Sequence, residues 1–214
     1  MGRVDTIAFD KTGTLTSGKL EVSDLLPFDG DMNETALLSL AASAEAKSEH
    51  PLGKAIVACA KERDADIAEP EAFRMTTGKG VCAEVSGKIL YCGNEKFLAE
   101  NGVVLTEPAQ TTLEHLRTQG KALILVAEGT RCIGVIALSD VLRPEAKDMT
   151  AKLSSMKTKT VLLTGDHQKT ADYFAGRIGI TEVFAELLPE EKVENIVKLQ
   201  TEGRSVCMIG DGVN

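Results

Sequence analysis

No two of the five cysteines, Cys59, Cys82, Cys92, Cys132 and Cys207, form a C-x-x-C pair, and their number is odd. Neither a disulfide framework nor a cysteine-ligated metal knuckle is expected from that pattern. Most of them sit inside apolar, strand-like runs, where a free thiol behaves as a small hydrophobe, so reduced core residues are expected. Long hydrophobic runs are missing as well. The longest, Ala122 to Ala127 and Cys132 to Leu138, fall far short of the roughly 20 residues that cross a bilayer. The opening Met-Gly-Arg-Val-Asp is not followed by the apolar region of a signal peptide. Positive charge is scarce: 24 Lys and Arg against 32 Asp and Glu leave a net charge of -8. A nucleic-acid footprint needs a basic stripe, so no nucleic-acid partner is expected, and an anionic substrate would need local lysines or a metal ion. Repeats and low-complexity tracts are absent.

What is present is enough apolar content, 43% of 214 residues, to bury the core of one large domain or two small ones. Val4 to Phe9 reads as a short strand, and a second extended piece lies near Leu20 to Leu26. Helical spacing predicts a helix over Glu34 to Ala46 capped by Asn33, and a second from Pro51 to about Arg63, since proline suits the first helical position. The period then changes to two. Phe73 to Thr76, Val81 to Val85 and Ile89 to Cys92 are predicted strands joined by the glycine turns "TGKG" and "SGK", and "KALILVAEGTRCIGVIAL" reads as a hairpin. Short helices are predicted after Asn94 and from Glu107 or Pro108 to about Thr118. From Arg143 onward helix and strand alternate, which builds right-handed β-α-β units and a parallel sheet. The first strand belongs with these later ones. The expected organisation is therefore one domain, residues 1–27 and 139–214, interrupted by an inserted block of antiparallel character, residues 28–138.

Three predicted strands end on carboxylates: "VDTIAFD" at Asp10, "TVLLTGD" at Asp166 and "SVCMIGD" at Asp211. In open α/β sheets the carboxyl edge is where ligands bind, so one site is expected to gather all three. Clustered anions repel unless a cation sits among them, and a hard divalent ion, most naturally Mg²⁺, fits an all-oxygen set. The alternative is that each Asp only caps the following turn or helix. Lys11, Thr164, Gly165 and Lys192 would add ammonium groups, a hydroxyl and turn amides, an inventory suited to a phosphoryl group.

"DKTGTLT", "TGDH" and "GDGVN" resemble, in order and spacing, the phosphorylation, threonine-glycine-aspartate and hinge motifs of P-type cation ATPases. The resemblance covers essentially the whole chain. It implies a haloacid-dehalogenase-like Rossmannoid parallel sheet, the phosphorylation domain, with an inserted α+β nucleotide-binding domain. It also implies that Asp10 takes the γ-phosphoryl group of ATP, that Asp10, Asp211 and the Thr12 carbonyl hold Mg²⁺, and that Lys192 and Thr164 meet the phosphate. Lys11 and Gly165 belong to the same motifs, Asp166 would position the loop and the nucleotide, and Asp140 in "SDVLRPEA" would order the hinge. Phosphatases of this fold usually carry a second aspartate at the place of Thr12, and a threonine hydroxyl cannot serve as their acid and base, so slow hydrolysis of the acyl phosphate is expected.

In the insertion, "SEHPLGKAIV", "TTGKGV" and "CGNEKF" resemble the nucleotide pocket of the heavy-metal branch. By that resemblance Glu49 and His50 line the pocket, and Gly78, Gly80 and Gly93 let backbone approach adenine and ribose. The alternative for His50 is a plain helix cap; for Lys79 the choice is between reaching phosphate and being a solvated turn lysine, and the turn lysine is the preferred reading. "GKGVCA" also fits G-x-G-x-x-A, but it runs on as a strand instead of opening a helix, so the dinucleotide-binding context is missing. The resemblance implies a monomeric catalytic portion, at the cytoplasmic face of a membrane, of a pump whose ion is zinc, cadmium or cobalt rather than copper. The family's last motif is normally completed by another aspartate, and this sequence stops at Asn214, so a fragment without ion-carrying helices, weakly active or inactive by itself, is expected. A nucleotide-binding module without turnover and a phosphatase of the same fold are the alternatives.

Overall fold

The structure is a computed structural model that describes residues 4–210. The chain folds as two compact units. One comprises the chain up to Lys19, Thr118–Gly120 and the chain from Asp140; the other comprises Leu20–Arg117 and Lys121–Ser139. The boundaries at Lys19/Leu20 and Ser139/Asp140 fall inside two long strands, β2 (Thr16–Pro27) and β7 (Arg131–Leu142), so the first lies within β2 rather than after it.

The first unit is built on a four-stranded sheet in the order β10-β1-β8-β9, formed by Val206–Ile209, Thr6–Asp10, Lys159–Leu163 and Glu182–Phe184. All three pairings are parallel. Parallel sheets bury both faces, and alternation along the central strands divides the side chains accordingly. Phe9 and Leu162 pack with Ala146, Ala175 and Ile178 from α5 (Ala146–Ser155) and α6 (Gln168–Ile178). Ala8, Val161 and Leu163 meet Leu199 of α7 (Pro189–Thr201). The register pairs Asp10 with Leu163 and Phe9 with Ile209, so the three strands finish level with one another. Helix α6 ends where Gly179 takes φ +76°, a left-handed stop that glycine adopts without strain.

The second unit is a six-stranded sheet, β2-β7-β6-β5-β4-β3, in which β3 (Ala72–Thr76), β4 (Gly80–Val85), β5 (Lys88–Gly93), β6 (Ala122–Glu128) and β7 pair antiparallel. Helices α1 (Glu34–Ala44) and α2 (Pro51–Glu62) cover one face; α3 (Glu95–Glu100) and α4 (Glu107–Thr118) cover the other. On β6, Ile124 and Val126 join the first layer, while Leu123, Leu125 and Ala127 join the second. A sheet covered on both faces explains why 122–127 and 132–138 are unbroken apolar runs instead of alternating ones. Local signals act as the sequence predicts. Asn33 accepts from Ala36 N–H and Asn94 from Phe97 N–H, at 2.8 and 2.9 Å, as N-caps. Ser86 and Gly87, both at positive φ, make the tight two-residue turn between β4 and β5.

All five cysteines are unpaired. Burial holds the Cys92 thiol well above its ordinary range and pushes Cys132 up to about 11, so neither is a ready nucleophile at neutral pH. Among the described residues no helix is long and apolar enough to cross a membrane.

Candidate active site

Asp10 closes β1 and is 2% exposed, an unusual place for a carboxylate. Its compensation comes from α7. Lys192, in that helix's first turn and itself 8% exposed, holds its ammonium 3.1 Å from both Asp10 oxygens. The Lys11 N–H donates to Asp10 Oδ1 at 2.8 Å. The helix start is fixed by Pro189 at its first position and by Glu191, whose carboxylate accepts the Leu188 N–H at 2.7 Å. Lys192 is therefore delivered by a defined helix terminus and not by a floppy loop.

The chain leaves Asp10 through a single wide turn, Lys11–Leu15, in which Gly13 takes φ +77° and the Thr16 N–H reaches back to the Lys11 carbonyl. Three residues clamp this turn. Arg143 donates from Nε to the Thr14 carbonyl and from Nη2 to the Gly13 carbonyl, both at 3.1 Å, and its own N–H meets the Leu15 carbonyl at 2.9 Å. Thr16, fully buried, places its hydroxyl 2.5 Å from Asp140 Oδ2. The Thr16 hydroxyl also accepts the Gly13 N–H at 3.3 Å. Asp140 was expected at the hinge, and its contact with Thr16 is specific. Arg143 and Thr16 were missed by the sequence reading, although both stand inside the quoted motifs. Thr16 carried only the weak signal of a hydroxyl three residues after Gly13, and Arg143 carried none, since its contacts lie 129 and 130 positions away.

Beyond β8, Thr164 is 3% exposed and its hydroxyl accepts the Asp166 N–H at 3.2 Å. Gly165 runs close to the Leu187 carbonyl, which a Cβ would meet at 3.3 Å. Asp166 pairs with Lys11 at 2.6 Å, and the Lys11 ammonium lies 5.8 Å from the centre of the Phe174 ring. Lys11 is thus occupied by Asp166, while Lys192 alone of the two lysines faces Asp10. Thr12 is exposed. Asp211 lies outside the described residues. Among the described residues no cluster of three or more His, Cys, Asp or Glu side chains converges on a metal position. The described donors assigned to the ion, the Asp10 carboxylate and the Thr12 carbonyl, are oxygens only, which fits a hard divalent cation such as Mg²⁺.

The second unit holds a cavity of about 470 Å³. Glu49, His50, Gly78 and Gly80 line it; Gly93 does not. His50 is the N-cap of α2, its Nδ1 accepting the Leu52 N–H at 3.2 Å, so its Nε2 carries the proton when the ring is neutral. The cap and the lining roles coexist. Gly78 takes φ +71° with open space around it, so it is the backbone conformation and not crowding that favours glycine there. Gly80 and Gly93 face each other across β4 and β5, and a Cβ on either would collide with the opposite strand and with Phe97. Close strand packing therefore suffices to require both as glycines. Glu45 also lines the cavity and escaped the sequence reading. It follows the last residue of the apolar helix α1, is 4% exposed, and has one oxygen, Oε2, without a partner. Burial pushes its carboxyl above the ordinary carboxylate range, partly offset by a hydrogen bond with Ser48.

Residues 4–214 match the family described as haloacid dehalogenase-like hydrolase. The chain belongs to the haloacid dehalogenase-like hydrolases. Its relatives within them are heavy-metal P-type ATPases. It is 38% identical over 216 residues to a copper-exporting P-type ATPase of Bacillus subtilis (strain 168), covering 99% of this chain and 26% of that protein. A copper-exporting P-type ATPase of Staphylococcus aureus (strain JH9) is 41% identical over 212 residues, with the same coverage. The chain thus spans about a quarter of the curated relatives it matches. Among solved structures, a zinc-transporting PIB-type ATPase in an E2.Pi state superposes with a TM-score of 0.88 at 36% identity, over 99% of this chain and 34% of that one. The catalytic domain of the CPx-ATPase CopB-B, described for its changes on nucleotide binding, gives 0.65 at 35% identity over 99% and 73%.

The buried charges of this haloacid dehalogenase-like chain can be weighed by two stability measurements. Lys192→Met leaves Asp10 buried without its counter-charge and should cost about 3 kcal/mol in urea unfolding. Asp10→Asn added to Lys192→Met should recover most of that loss; two costs that simply add would contradict the pairing. For Glu45, a folded-state carboxyl raised above its unfolded value of 4.5 binds a proton that the unfolded chain has already lost. Stability therefore falls as pH rises from that value through the raised one. Glu45→Gln should flatten this slope and make the chain more stable at neutral pH.

Proposed function

We propose that this chain is the ATP-using catalytic portion of a heavy-metal-transporting P-type ATPase, and that Asp10 accepts the γ-phosphoryl group of ATP. The observation that carries this reading is the carboxylate buried at the end of a parallel strand with Lys192 on both its oxygens. In the step, one Asp10 oxygen bonds to the γ-phosphorus while the bond to the bridging oxygen breaks, and ADP leaves with that electron pair. No proton has to move. Lys192 and the Thr164 hydroxyl are suited to neutralising and orienting the phosphoryl oxygens. Asp10, the Thr12 carbonyl and Asp211 are the groups proposed to hold Mg²⁺, which when bound supplies charge neutralisation at those oxygens. Asp166 acts through Lys11, fixing the residue beside the nucleophile.

The exposed Thr12 offers no acid or base for the attack of water on the acyl phosphate, which supports a long-lived intermediate and speaks against the phosphatase reading. The cavity lined by Glu45, Glu49, His50 and Gly78 is proposed to take the nucleoside of ATP; Glu45 Oε2 supplies the unsatisfied polar atom that an amino-bearing base would meet. Both sites belong to one chain, so a monomer suffices. The cation and the cytoplasmic-face location belong to the longer pump. Zinc, cadmium or cobalt remains the proposed cargo class, in keeping with the zinc-transporting structural relative, against copper for the curated ones.

Incubation with Mg²⁺ and ATP labelled in the γ-phosphoryl group should give an acid-stable, hydroxylamine-labile label that chelation of Mg²⁺ and Asp10→Asn both abolish. Equal label in Asp10→Asn would reject Asp10 as the acceptor. ATP binding without label would favour a nucleotide-binding module.

A further inference from the structure

The cavity beside α2 has the wrong sign of charge for phosphates. Among the described residues that line it, Lys79 is the one Lys or Arg, against Glu45 and Glu49. Lys79 is not free: its ammonium donates to both oxygens of Glu100, at 2.8 and 2.7 Å, and this hydrogen bond holds the Glu100 carboxyl below its ordinary range. Lys96, one turn before Glu100 on α3, lies outside the lining. The amino terminus of α2 would ordinarily attract an anion. Here Pro51 has no N–H, and the Leu52 N–H is taken by His50. A phosphate that drew Lys79 away from Glu100 would exchange one anionic partner for another and leave the Glu100 charge beside it. An exposed pair is weak enough to exchange, but the exchange brings no net gain.

We propose that the cavity recognises the nucleoside and is indifferent to the length of the phosphate chain, and that Glu100 is the residue that sets this indifference by sequestering Lys79. The inference rests on the reading of this cavity as the nucleotide site. Its consequence is that ATP, ADP and AMP compete for the cavity on nearly equal terms, so that discrimination for ATP arises at Asp10 and not at binding.

Calorimetric titration of the whole chain with adenosine, AMP, ADP and ATP, in EDTA to remove Mg²⁺, tests it. Dissociation constants within about fivefold of one another are expected, the scale that one exposed ion pair can supply. Glu100→Gln should leave adenosine unchanged, which also reports an intact cavity, and should strengthen ATP relative to adenosine by about threefold. Adding Lys79→Gln to Glu100→Gln should erase that gain, tying it to Lys79 and not to Lys96. A wild-type preference for ATP over adenosine larger than about fivefold, or an unchanged ratio in Glu100→Gln, overturns the proposal while leaving the nucleotide site standing. Binding of none of the four would instead overturn the nucleotide site and the proposal with it.

Discussion

A carboxylate buried at the end of a strand is unfavourable unless a cation is held against it, and the first unit is arranged around meeting that condition at Asp10. Residue 10 is pinned by register, level with Leu163 on one side and next to Phe9–Ile209 on the other. Lys192 is pinned by a proline-started, Glu191-capped helix. Two groups that would each be costly alone become tolerable together, and removing either exposes the full desolvation cost of the other. Such a pair is poor evidence of stability for its own sake. It is good evidence of a place where negative charge is meant to be handled.

The turn after Asp10 inherits its order from the strands that lead into and out of the inserted unit. Thr16 begins β2, Asp140 lies in β7, and Arg143 follows β7 directly; all three grip carbonyls or hydroxyls of residues 11–16. The backbone flanking Asp10 is thus fixed by the chain's own entry and exit segments. The second unit solves a different problem. Its sheet is packed on both faces, its hairpins need glycine for close strand contact, and its cavity keeps one buried acid oxygen unpaired.

Asp10 at a strand end, the cap residue His50 and the turn glycine Gly78 are local features with short-range causes, which is why the sequence singles them out; Thr164 and Asp166, expected on the strand itself, lie just past its end at Leu163. The same holds for most element ends. The predicted helix to Arg63 stops at Glu62, and the one to Ala46 stops at Ala44. The residues that escaped depend on contacts distant in sequence. Arg143 meets Gly13 and Thr14 across 130 and 129 positions, and nothing local distinguishes it from a solvated arginine. Glu45 reads as the polar end of an apolar helix, and only the packing of α2 over it reveals the burial. Gly80 and Gly93 were legible as necessary glycines, but the strand-to-strand contact that requires them was not.

The Asp10–Lys192 pair is the proposed seat of the phosphoryl group. A crystal structure of this chain grown with Mg²⁺ and beryllium fluoride, which mimics a phosphoryl group on a carboxylate, tests that without any turnover. The expected result is the fluoride complex bonded to an Asp10 oxygen, with the Lys192 ammonium turned from carboxylate to fluorine at hydrogen-bonding distance. Beryllium fluoride bound elsewhere, with Asp10 and Lys192 still closed on each other, would contradict it.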